Sequence, residues 1–216
     1  MESSSLFNPG FLGGSFYWFI GQVADDSTWR ENQNPDKKTQ IEQKIRVDHA
    51  GEYGAARIYE GQLAVLGNRP IGKVIQHMAD QEKRHLETFD QMIIKRRVRP
   101  TVLSPLWHIA GYSLGVLSAA ISERAAMACT VAVEEVIEEH YNEQYEKLGD
   151  DEKELSDIID DFRAEEIEHK KIGLNHIAAT SENNVSQIEG SGETYPILSR
   201  AVKASSRLAI WLSTRI

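Results

Sequence analysis

Six residues of this 216-residue sequence could do chemistry together. Glu82-Lys83-Arg84-His85 and Glu166-Ile167-Glu168-His169 are two copies of Glu-x-x-His. Each has a glutamate upstream: Glu52 lies thirty residues before Glu82, and Glu134 thirty-two before Glu166. Carboxylate and imidazole three residues apart leave the same face of a helix and can reach one metal cluster. Two such pairs plus two glutamates give four carboxylates and two imidazoles. That mixture of oxygen and nitrogen donors suits a pair of iron or manganese ions, and of the two metals iron activates O₂. Glu82 and Glu166 are expected to bridge the ions, Glu52 and Glu134 to be terminal ligands, and His85 and His169 to bind one ion each.

One Glu-x-x-His alone usually marks a solvated helix face; the doubled set gains its weight from the helices that carry it. Apolar residues recur at helical spacing over about 36–66, 71–98, 123–148 and 151–179, with Gly67-Asn68, Pro100 and Gly149 as stops. All six residues fall on those apolar stripes. A buried carboxylate is costly unless paired, protonated or metal-bound, so four of them in one core call for cations. The upstream spacings fit antiparallel hairpins with about 14 to 15 residues per limb. The expected fold is therefore all-α, a ferritin-like four-helix bundle whose two halves pair about a pseudo-twofold axis. Among neighbours, Glu138 is an alternative ligand one turn past Glu134. Asp48 is either the outer partner of a ligating histidine or a surface acid. Glu135 and Glu168 fall off the stripe and are expected in solvent. His49, His77 and His108 read as structural or solvent-facing, and His176 as a core histidine.

The rest of the chain sets limits. A net charge of −9 argues against a nucleic-acid partner, yet Lys95–Arg99 is basic, and residues 195–216 carry four basic side chains and no acid. Basic patches beside apolar faces suit an anionic membrane surface. Cys129 is the one cysteine, so no intrachain disulfide forms; it reads as a small buried hydrophobe. The first 29 residues hold no Lys or Arg, which argues against a targeting segment. Residues 1–34 read as a weakly ordered extension, and 35–216 as one domain with a loop over 181–194 and a C-terminal amphipathic helix over 195–216. That helix either caps the core with a solvated basic face or lies on a membrane. Val102–Ile121 carries no charge, and Pro105 is expected to break it, leaving a helix over Leu106–Ile121. Sixteen residues reach roughly 24 Å, short of the ~30 Å hydrocarbon core. A span there would also put the two halves of the ligand set on opposite sides of a bilayer. The segment is thus read as a crossover helix between the second and third long helices, one that either lies in the membrane interface or walls a lipophilic pocket.

Several longer motifs resemble one family. They are RVDHAGEYGA (46–55), AVLG (64–67), DQEKRH (80–85), RVRPT (97–101), PLW (105–107), AMACTVAVEE (126–135), HYNEQ (140–144) and IGLNH (172–176). Together they are similar to the demethoxyubiquinone hydroxylases of ubiquinone biosynthesis, over about residues 41–216. The resemblance implies a 5-demethoxyubiquinone hydroxylase: a di-iron monooxygenase that hydroxylates the ring of a demethoxy-polyprenyl quinol at the penultimate step. Its iron ligands map onto Glu52, Glu82, His85, Glu134, Glu166 and His169. It implies NADH as reductant, although no Gly-rich dinucleotide fingerprint occurs here. His140 and Tyr141 stand where the family carries residues implicated in electron delivery, with core packing as the equal alternative. The family also implies a peripheral protein of the inner membrane, on the bacterial cytoplasmic or mitochondrial matrix face, with a lipid-binding accessory protein among its partners; oligomeric state is open. The alternative function is a ferritin-like iron store or peroxide scavenger, which needs a cage or a rubredoxin-type cysteine site; a single cysteine excludes the latter.

Overall fold

The computed structural model describes residues 35–149, 152–181 and 195–215. Among them are six helices and no strand: α1 (Pro35–Leu66), α2 (Gly72–Arg96), α3 (Ser104–Ile121), α4 (Glu123–Lys147), α5 (Lys153–Ser181) and α6 (Pro196–Ser213). Residues 41–216 form one compact unit, and the fold below is that unit's. The expected extension over 1–34 and the loop over 181–194, apart from Ser181 at the end of α5, lie outside the described residues.

The local sequence explains the boundaries. Ser122 caps α4, its hydroxyl accepting from the Ala125 amide at 3.0 Å. Arg97 ends α2 in the left-handed region (φ 55), and its amide turns back to the carbonyls of Ile93 and Ile94. Pro105 does not break the uncharged segment. It sits in the first turn of α3, where a missing N–H costs nothing, so the helix begins at Ser104 and runs for 18 residues. At 1.5 Å per residue that is still only about 27 Å, and no helix among the described residues is long and apolar enough to cross a membrane.

The result is a ferritin-like helical bundle with α4 at its centre. α4 packs against α3, α5 and α6, and α2 packs against α5. Hydrogen bonds tie α1 to α4 (Tyr59 to Glu134, Gln62 to Ala126) and to α2 (His49 to Asp90). Two apolar clusters form. One gathers Ile45, Phe89, Met92, Ile137, Tyr141, Leu155 and Phe162; the other gathers Tyr59, Leu66, Ile75, Met78 and Met127. Along each long helix the expected ligands lie between residues of these two clusters, so apolar side chains close the ligand layer from both ends. Cys129 is buried as expected, and burial pushes its thiol up to about 12. On α6 two basic side chains reach acids of α4, Lys203 pairing with Glu135 at 2.5 Å and Arg207 with Glu139 at 2.8 Å, while Arg200 and Arg207 stay exposed to solvent. α6 also exposes Ile197, Leu208 and Trp211, and α3 exposes Leu106, Ile109, Leu117 and Ile121.

Candidate metal centre

The four long helices bring all six expected ligands together. Glu52, Glu82, His85 and Glu166 offer donor atoms that all lie within 4.8 Å of one another, and so do Glu82, Glu134, Glu166 and His169. Glu82 and Glu166 belong to both sets, as bridging carboxylates must. No one of the six is more than 1% exposed. Both imidazoles turn Nδ1 inward: His85 Nδ1 is 3.4 Å from Glu52 and 3.2 Å from Glu166, and His169 Nδ1 is 3.2 Å from both Glu82 and Glu166.

The donor set fits two divalent cations. Glu52 Oε2, both oxygens of Glu82, Glu134 Oε2, Glu166 Oε1 and His85 Nδ1 are buried without a hydrogen-bond partner, although buried polar atoms are normally satisfied. Charge points the same way, because two divalent ions neutralise four carboxylates bound with neutral imidazoles. Left to themselves the side chains must share protons. Burial, and then the charge of Glu166, pushes Glu82 up to about 8. Burial with the charges of Glu166 and Glu82 raises Glu134 well above the carboxylate range. For Glu166, burial acts upward, but the His169 and His85 rings outweigh it and hold the carboxyl at about 2. Burial acts downward on both imidazoles, and the surrounding carboxylates overcome it, raising His85 to about 12 and His169 to about 11. Cations must therefore displace protons from these groups. Metal loading is expected to release protons, and affinity to climb between about pH 6 and about pH 8. Competition against a chelator across that range checks this; a pH-independent affinity would contradict it.

The outer partners follow the same doubling. His85 Nε2 meets Glu165 at 3.0 Å, and His169 Nε2 meets the Gln81 carbonyl at 3.1 Å. Gln81 and Glu165 each stand just before the glutamate of a Glu-x-x-His. Gln81 also donates to Glu165 at 3.1 Å, and Arg84 pairs with Glu165. These contacts fix which imidazole nitrogen faces the centre. Glu165→Ala is expected to weaken metal affinity about 10–100-fold, measured by competition with a chelator; an unchanged affinity would remove Glu165 from this role.

Tyr141 donates to Glu52, and Tyr59 donates to Glu134 at 2.6 Å. Burial followed by carboxylate charge holds both phenols well above their usual range, so they remain donors. Tyr59 lies in the apolar stripe of about 36–66, where a tyrosine reads as core, yet it is the counterpart of Tyr141. Tyr59 follows Glu52 by seven residues, as Tyr141 follows Glu134. His140 does not touch the ligands; its Nε2 lies 3.1 Å from Asp48, which Gln144 also donates to. Asp48 is thus buried, and its partners are His140 and Gln144 instead of a ligating histidine. In the other half Gln62 donates to Thr130 at 3.3 Å, so Gln62 answers to Gln144 and Thr130 to Asp48. Glu138, the alternative ligand, stands outside both donor sets and pairs with Lys170. Glu135 pairs with Lys203 instead of facing solvent alone, while Glu168 is exposed as expected. His176 lies 3.8 Å from Glu123, His49 bonds Asp90 at 2.9 Å, His108 bonds Tyr53 at 2.9 Å, and His77 is exposed.

Beside the centre lies a cavity of about 280 Å³ between α1, α3, α4 and α6. Its walls are mostly apolar and include Ala55, Ile58, Trp107, Leu114, Val133 and Ile137. Gly51 and Val133, each just before a ligand glutamate, also line it. The uncharged crossover helix α3 does wall an apolar pocket, one of the two roles open to it from the sequence, while the share of α1, α4 and α6 in that wall was not legible there.

The chain is 49% identical over 184 residues to the 3-demethoxyubiquinol 3-hydroxylase of Rhodospirillum rubrum, covering 85% of this chain and 82% of that protein. It is 51% identical over 183 residues to the mitochondrial NADPH-dependent 3-demethoxyubiquinone 3-hydroxylase of Dictyostelium discoideum, covering 83% and 79%. The mitochondrial 5-demethoxyubiquinone hydroxylase of Saccharomyces cerevisiae is 37% identical over 193 residues, covering 82% and 78%. The family model described as ubiquinone biosynthesis protein COQ7 matches residues 39–213, a stretch that holds every ligand of the centre and every wall of the cavity, and the chain belongs to that family.

Proposed function

We propose that this protein is a di-iron hydroxylase that adds a hydroxyl group to the ring of a demethoxy-polyprenyl benzoquinol, the penultimate step of ubiquinone biosynthesis. The observation that carries this reading is the pair of overlapping four-donor sets sharing Glu82 and Glu166. Glu52 and His85 would hold one iron, and Glu134 and His169 the other. Two irons held there supply O₂ activation. Tyr141 and Tyr59 keep their protons on the phenol oxygens facing Glu52 and Glu134, which orients those carboxylates. The apolar clusters above and below the ligand layer keep bulk water out. Family membership favours hydroxylation over an iron store or peroxide scavenger.

The cavity is the place for the quinol ring. It lies against α1 and α4, which carry Glu52 and Glu134, and a cavity of ~150 Å³ suffices for benzene. A substituted ring fits in 280 Å³, while a polyprenyl tail must continue outside. The exposed apolar residues of α3 and α6 support a peripheral seat on the inner membrane, on the matrix face in a mitochondrion or the cytoplasmic face in a bacterium. The reductant is a reduced nicotinamide: the resemblance implies NADH, and the relative in Dictyostelium discoideum carries NADPH in its name. Residues 1–34 remain an extension to one catalytic domain, and an accessory lipid-binding protein and self-association are open partners.

The test is turnover. Iron-loaded protein supplied with O₂, NADH or NADPH and a decyl-tailed demethoxybenzoquinone should yield a product one oxygen heavier. Oxygen consumption without that product would overturn the reading, and iron uptake into a high-order cage would favour storage.

A further inference from the structure

The glycines of α1 and α3 divide into two kinds. At Gly61, Gly111 and Gly115 an added Cβ would lie 2.2 Å from the Tyr112 carbonyl oxygen, 2.8 Å from that of Gly54 and 2.0 Å from that of Ile58. Those positions are glycine because the backbones of α1 and α3 touch. Gly51 and Gly54 are different. A Cβ at either would meet nothing within 4 Å, and neither adopts a positive φ. Both lie inside α1, where glycine lowers helix stability relative to alanine. Neither backbone conformation nor helix packing requires them. What they share is the wall of the cavity, which both residues line.

We propose that Gly51 and Gly54 set the width of the ring-binding cavity and thereby determine which ring substituents reach the centre. This rests on the cavity being the quinol site. At these two positions the wall is bare helix backbone, so a side chain there would project into the volume the ring needs. Glu52 lies between them on the same helix. A methoxy-bearing ring can therefore pack against the bare backbone of the turn that carries that residue. The cavity holds a ring with its substituents and little more, so even one methyl group there is felt.

The experiment uses the iron-loaded full chain and titration calorimetry. The probes are a decyl-tailed benzoquinone bearing methyl and methoxy groups, and the same compound without the methoxy. Gly54→Ala and Gly51→Ala are expected to keep their iron and to melt about 2–4 °C higher. They should weaken the methoxy-bearing probe about 10-fold while changing the smaller probe less than about 3-fold. Gly54→Val should extend the loss. Equal binding of the methoxy-bearing probe by wild type and Gly54→Ala would overturn the inference and leave the quinol site standing. A lowered melting temperature would also overturn it, since packing would then need the glycine. Failure of the wild-type protein to bind either probe would overturn both this inference and the function on which it rests.

Discussion

Glu166→Ala is expected to leave less than about one iron per chain after anaerobic loading and to lower hydroxylation more than about 100-fold, beyond the usual cost of losing an outer partner. Glu166 stands in both donor sets, so its removal takes each from four donors to three. It also lies 3.2 Å from the inward nitrogens of both histidines. Without metal, truncation leaves two buried imidazolium rings short of the carboxylate they share. Breaking a buried pair costs about 3–5 kcal/mol, so the metal-free variant should melt about 6–20 °C lower. Glu138→Ala is the control. Glu138 is partly exposed and pairs with Lys170 away from the ligands, so that change should cost under about 1 kcal/mol and no iron. Metal analysis and thermal melts of the two variants check both halves of the expectation; full iron content in Glu166→Ala would remove it from the centre.

Gly115→Ala is expected to be the most damaging single-methyl change in the scaffold. The new Cβ would lie 2.0 Å from the Ile58 carbonyl oxygen and 3.0 Å from the Gln62 amide nitrogen, both backbone atoms that cannot rotate away. Gly61 faces Tyr112 and Val116 in the same way from the other helix. Relief requires α3 to move off α1, at a cost of about 3 kcal/mol, or about 6–12 °C in melting temperature. No ligand lies on α3, so the variant should still load iron below its melting point. The same substitution about one turn apart along one helix pair thus has opposite signs: stabilising at Gly54, where the space is open, and destabilising at Gly115, which faces Ile58. A Gly115→Ala melt within 1 °C of wild type would contradict the close approach.

Much of this was readable from the chain because two independent signals coincided. The helical apolar stripe located α1, α2, α4 and α5 to within about two residues at their ends, and the doubled Glu-x-x-His lay on that stripe. Glu82 and Glu166 were expected at the middle of the site from their positions in the motif, and both donor sets include them. What could not be read depended on chemistry that one-dimensional spacing does not separate. A tyrosine on an apolar stripe looks like core whether or not its hydroxyl meets a carboxylate, so Tyr59 was missed while its counterpart Tyr141 came from the family resemblance. Gln81 and Glu165 sit at the edge of the stripe, and their contacts with His169 and His85 cross between helices. Pro105 reads as a breaker or a helix start depending on where the preceding turn lies. The ion pairs that fasten α6 to α4 join residues 68 apart, Lys203 with Glu135 and Arg207 with Glu139.

The near-constant offset between the halves has a consequence for the substrate. Glu52 and Tyr59 recur 82 residues later as Glu134 and Tyr141, and Glu82 and His85 recur 84 later as Glu166 and His169. Each half thus supplies three of the four donors of one set and the fourth donor of the other, as two subunits of a symmetric dimer would. Fusing the halves in one chain frees the positions around the donors from repeating. Asp48 can stand opposite Thr130, His140 opposite Ile58, and α3 and α6 can wall one flank alone. A quinol ring carrying one tail and unequal substituents has no twofold axis, and an identical pair of walls would offer it two equivalent, competing poses. On the proposed function, the joined halves keep the symmetry that two metal ions need and drop it where the ring must be told which way to face.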